Sequence, residues 1–183
     1  MTTPPPPGRA QWRLFWIFYV ISWAVFAYIA VTNTQMVTAV SPGGILDHQS
    51  AATAMRADQI QNAWKAKGTF DFAKLSMSLD LVFITFATLA GIVAGYLMAR
   101  AGGPRGLFGW LVLGVWAVFG ACDYIETTSQ LAQLLRDGGN DQLAGLAASV
   151  KPAKMAAFIA GTLMLWAGLV WTWIAARKPA AAA

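Results

Sequence analysis

Four ionisable side chains stand where charge is expensive. Asp80, Asp123, Glu126 and Lys154 fall in or beside long apolar runs, and insertion scales put an acid or base at the centre of a lipid-spanning helix at about 2.5–3.5 kcal/mol. Each therefore needs a partner or a task. An Asp or Glu paired with Lys154, with Thr127 and Gln130 completing the hydrogen bonds, would form a helix-locking network. Alternatively, the surplus of acid over base can hold a proton, a cation or the polar head of a ligand.

Spacing brings these groups to common faces. At 100° per residue, Trp116, Phe119, Asp123, Glu126, Thr127 and Gln130 share one stripe of a helix, so the carboxylates sit above aromatic rings. Asp80 shares a stripe with Ala87, Gly91 and Gly95, where Gly91-x-x-x-Gly95 permits a close helix approach. Lys154 shares one with Phe158, Gly161, Leu165 and Gly168. Polar stripes turn inward in lipid. The expected ligand site is therefore Asp80, Asp123, Glu126, Lys154, Trp116, Phe119, Thr127 and Gln130, with carboxylates meeting a cationic or hydroxyl head and aromatics the apolar body. No catalytic residue and no metal ligand is expected among them.

The elements that must position these residues follow from composition. Of 183 residues, 57% are hydrophobic and 11% charged, against about a quarter charged in ordinary soluble domains. That excludes a soluble domain, a disordered chain and nucleic-acid binding as the main business. One cysteine excludes a disulfide scaffold. Four blocks approach the roughly 20 residues that cross a bilayer: about 14–31, 79–99, 107–130 and 155–176. The first is longer than a signal peptide's apolar region and lacks an Ala-x-Ala site, so it reads as a retained span. The expected fold is an all-α integral membrane protein, a four-helix antiparallel transmembrane bundle with an extra surface helix in the first outer loop.

Charge orients the bundle. Arg9, Arg13, Arg100, Arg105, Arg177 and Lys178 fall on one side with no acid, while the other side holds seven basic and all eight acidic residues. The positive-inside rule then places both termini in the cytoplasm, and Trp12, Trp16, Trp110, Trp171 and Trp173 form a belt at that end. Counting from it at 1.5 Å per residue puts Asp80 about 30 Å along its helix, Asp123 about 24 Å, Glu126 about 29 Å and Lys154 about 35 Å. All four reach the outer third. The high Ala, Gly, Pro and Trp usage suits a bacterial inner membrane.

The tails, 1–13 and 177–183, are expected to be cytoplasmic and silent. In the outer loop, 32–77, the run Ser41-Pro42-Gly43-Gly44 marks a turn and Gln49 to Lys67 reads as a helix with Met55, Ile60, Ala63 and Trp64 on its apolar stripe. That helix either caps the bundle or lies along the headgroups. His48, the only histidine, is expected to be a solvent-exposed loop residue. Cys122 is expected to pack as a small apolar residue. Thr85, Thr88 and Thr162 are expected to bond carbonyls of their own helices, and Trp23 and Trp166 to serve packing.

An acid opening span two, Asp-x-x-Glu late in span three (Asp123-Tyr124-Ile125-Glu126) and a lysine opening span four resemble a pattern in small bacterial four-helix membrane proteins, over roughly 76–173. More distantly, the chain resembles the EXPERA group of emopamil-binding sterol isomerases, four- to five-helix proteins. That resemblance implies intramembrane acids facing a lipid-sized cavity. The spans lack the cavity-facing histidine of its isomerases, so no isomerase activity is carried over. The expected function is binding of a small amphipathic or lipid ligand in an outer-leaflet acidic pocket, with membrane lipids as partners and no cofactor. The alternative is a non-catalytic accessory subunit of a larger membrane complex, with a membrane-protein partner or second copy on the Gly91-x-x-x-Gly95 surface. Proton or cation conduction is weaker, since the cytoplasmic half of each span lacks an ionisable group to continue a relay.

Overall fold

The computed structural model describes residues 9–177, so the proline-rich start, Lys178 and the alanine-rich end lie outside the described residues, as do the side chains of Arg9 and Ala176. The described chain is helical throughout, without strands. The helices are α1 (Arg9–Thr32), a 3-10 turn (Asn33–Met36), α2 (Ile45–His48), α3 (Ala54–Lys67), α4 (Phe70–Ala99), α5 (Gly103–Leu135) and α6 (Asp141–Arg177). Four of them, α1, α4, α5 and α6, are long and apolar enough to cross a membrane.

All four outrun the apolar blocks, α1 by starting at Arg9 rather than 14. α4 starts at Phe70 rather than near 79, α5 ends at Leu135 rather than 130, and α6 starts at Asp141 rather than 155. The turns added at the start of α4 are partly polar and hold no Gly or Pro, those added at the end of α5 are Leu-Ala-Gln-Leu-Leu, and a side-chain cap fixes the start of α6. Asn140 receives the Leu143 N–H on its side-chain oxygen (3.0 Å) and opens α6. Pro152 is tolerated inside α6, although it removes one N–H from the ladder.

Packing follows small residues. α4 runs along α5, α5 along α6, and α1 along α4. Between α4 and α5, a Cβ at Gly95 would lie 2.6 Å from the Leu113 backbone nitrogen and 2.8 Å from the Gly109 oxygen, and one at Gly91 would fall inside the Trp116 ring. Gly91 and Gly95 are thus committed to the contact with α5. They do not form a free partner surface, which corrects the use of that pair as support for a subunit. Trp116, Phe119, Phe83, Ile84, Ala87 and Leu165 form the main apolar core with Phe15 of α1.

The segment between α1 and α4 folds over one end of the long helices. α3 is capped by Thr53, which accepts the Arg56 N–H (3.3 Å), and ends at Gly68 with φ +77°, a left-handed position that suits glycine. Its buried face is Ala57, Ile60, Gln61 and Trp64. Met55, expected on that face, is 70% exposed, because at about 100° per residue it stands roughly 140° round the helix from Ile60. Ile60 and Trp64 join Met36, Ile45, Phe70 and Leu134 in a second core. Polar ties hold α3 to the turn between α5 and α6: Asp58 accepts the Gly139 N–H (2.5 Å), Lys65 pairs with Asp137, and Asp141 accepts the Ala54 N–H (2.7 Å). This is a cap packed on the helix ends.

Candidate functional site

At the capped end α4, α5 and α6 bring the four ionisable residues together. Lys154 Nζ lies 3.1 Å from Asp123 Oδ1 and 2.8 Å from Glu126 Oε1. Asp80 stands apart from this triad: Thr127 donates its hydroxyl to Asp80 Oδ2 (2.7 Å), and among the described residues no cation lies within ion-pair distance of it. The lysine therefore serves two acids, and the third has a hydroxyl. All four residues are at most 9% exposed.

A cavity of about 380 Å³ opens beside the cluster. Asp80, Asp123 and Lys154 form its charged wall, Asn33 and Gln49 add polar lining, and Phe26, Ile29, Met77, Phe83, Phe119 and Phe158 are among its apolar lining. Of the eight expected site residues, Asp80, Asp123, Lys154 and Phe119 line this cavity. The other four stand behind it. Glu126 is fully buried and holds Lys154 from the far side; its Oε2 has no hydrogen-bond partner. Thr127 fixes Asp80, and Gln130 donates to Glu126 Oε1 (3.2 Å). Trp116 lies a turn below, its indole N–H donating to the Gly161 carbonyl (3.2 Å) and its ring edge-on to Phe119 at 5.3 Å. It supports the floor without lining the cavity.

His48 is not a solvent-exposed loop residue. It is 2% exposed, stacked near Trp64 with ring centroids 5.4 Å apart. Its Nδ1 is 3.3 Å from Gln130 Oε1, and Gln61 Nε2 is 3.1 Å from its Nε2. The donors assign the tautomer. Gln61's amide nitrogen can only donate, so His48 Nε2 accepts and Nδ1–H donates to Gln130, whose amide nitrogen donates on to Glu126. Burial pushes the His48 pKa down from 6.5 to about 4, which agrees with a neutral ring. A buried Gln130 needs a donor for its amide oxygen, and that need was the available signal that an outer-loop residue must reach it.

Smaller details also differ from expectation. Thr85 bonds the Leu81 carbonyl (2.7 Å) and pairs with Tyr124 Oη, but the hydroxyls of Thr88 and Thr162 are buried with no hydrogen-bond partner. Cys122 is half-buried. Among the described residues, no group of three or more His, Cys, Asp or Glu is placed to hold a metal ion. No protein family, curated protein or solved structure matches the chain. The reading of the site therefore stands on its geometry.

Proposed function

We propose that the chain is an integral membrane protein of a bacterial inner membrane, an antiparallel four-helix transmembrane bundle with both termini cytoplasmic. In this reading the capped end faces outward, and the cavity there binds a small amphipathic or lipid molecule by its polar head. The observation that carries it is Asp80, a carboxylate at the wall of a largely apolar cavity with no cation in contact. A cationic or hydroxyl head donating to Asp80 and Asp123 would complete the site, while the aromatic wall takes the apolar part. Lys154 is already occupied by two acids, so an anionic head has no free cation to meet.

Native mass spectrometry of the protein in mild detergent tests this. Wild type should carry an amphiphile, and Asp80→Asn should lose it with the melting temperature little changed. The asparagine carbonyl still accepts the Thr127 hydroxyl, so the stability cost is about 1 kcal/mol or less. Equal ligand occupancy in both proteins would sink the reading.

A further inference from the structure

We infer that the cavity takes a single-chain amphiphile, and takes it sideways from the lipid, with the chain lying in the seam between α1 and α6. The inference rests on the ligand-binding reading above and adds the class of molecule and its route.

Size decides the class. About 380 Å³ is near the lower end of the roughly 300–1,000 Å³ that small-molecule sites enclose. It accommodates one chain, not a pair of acyl chains. The charged groups sit on one wall, and Asn33, the polar lining residue on the α1 side, is already bonded to the Gly43 carbonyl and the Ile45 N–H, so the molecule has one charged or strongly polar head and one tail.

Closure above decides the route. Ile45 and Leu46 of α2 and the following Gln49 roof the cavity, and the roof is tied within itself and pinned from two sides. Asn33 accepts the Ile45 N–H (2.8 Å) and donates to the Gly43 carbonyl (3.2 Å); Asp47 accepts the Gly43 N–H (2.7 Å); Lys151 of α6 donates to the Leu46 carbonyl (3.1 Å). Access from the water side would break these ties. The lateral side is looser. α1 packs along α4 and meets α6 through ring pairs, Tyr19–Trp166 at 5.9 Å and Phe26–Phe158 at 6.4 Å. Ala30 of α1 and Met155 of α6 line the cavity here and are both exposed, which puts the mouth of the inferred route between them.

The same seam continues downward. Phe158 and Phe83 line both the cavity and a narrow crevice below it, walled by Tyr19, Trp23, Thr162 and Leu165. The crevice is almost empty of void, about 10 Å³, and the unpartnered Thr162 hydroxyl lies in it. Rotation of the Phe158 ring would join the two spaces. A tail longer than the cavity can then follow the seam toward mid-bilayer while the head stays at Asp80.

The test uses the full chain in phosphatidylcholine nanodiscs with hexadecylamine bearing a mid-chain diazirine, competed by unlabelled hexadecylamine. The expected result is competable, Asp80-dependent labelling within 19–30 and 155–166. Ala30→Trp, which blocks the mouth without touching the charged cluster, should lower that labelling about tenfold, while Val118→Trp, on the exposed face of α5, should not. Asp80-dependent labelling that falls on 37–69 and ignores Ala30→Trp would overturn the lateral route and leave the pocket standing. Labelling of wild type that is indifferent to Asp80→Asn would remove the pocket reading and this inference with it.

Discussion

Lys154 holds two carboxylates at once, and among the described residues no other cation lies within ion-pair distance of either. Taking away one partner of a buried ion pair leaves uncompensated charge, at about 3–5 kcal/mol. Lys154→Met should therefore destabilise the protein by that amount in denaturant titrations in detergent. Adding Glu126→Gln should recover part of the loss, since it removes one stranded charge; strictly additive losses would contradict a shared cation. His48 makes a pH prediction. The unfolded chain protonates it near pH 6.5 and the folded chain only near pH 4, so the unfolded state binds the extra proton between these values. Its stabilising contribution is full above pH 6.5 and is lost as pH falls toward 4, by up to about 3 kcal/mol. Melting temperatures followed across that window should fall in wild type and fall less in His48→Gln. At this scale Asp80, Asp123, Glu126 and Lys154 were legible because charge in an apolar run is conspicuous. His48 was not, because nothing in a loop's composition reports which helix end it folds onto.

Helix faces were legible from periodicity, and their partners less so. The stripe from Trp116 to Gln130 is buried along its length, as 3.6-residue spacing requires, and Gly91 with Gly95 marks close approach. Only the packed structure shows that α5 fills it. Gly95→Ala should push α4 and α5 apart and cost about 1–3 kcal/mol, whereas Gly114→Ala, with nothing within 4 Å of its added Cβ, should be neutral or stabilise by up to about 1 kcal/mol. Thermal unfolding of the pair checks the contact; equal behaviour would refute it. Helix ends were the weakest reading. Apolarity measures how much helix suits hydrocarbon, not where the helix stops, so the polar first turns of α4 and α6 went unseen.

At the scale of the whole molecule, the charge asymmetry makes the orientation testable. With Cys122→Ser as background, a cysteine at Ser50, exposed at the capped end, should react with a membrane-impermeant maleimide on intact cells. One at Ala101, between α4 and α5, should react only after permeabilisation. The reverse pattern would invert the proposed topology. The four spans needed only hydropathy to be read, but the cap's seating depends on single polar contacts from Asp58, Lys65 and Asp141 that no periodicity encodes. Those contacts also set an order in time. The cap precedes α4 in the chain, yet the turn that anchors it, Asp137 to Asp141, is synthesised after α5. In the proposed topology Ile60, Trp64 and His48 would therefore be outside the membrane before their seat exists. The cavity, whose roof belongs to the same segment, needs α6 for its completion, and an interrupted chain ending before α6 would have Asp123 and Glu126 without the lysine they share.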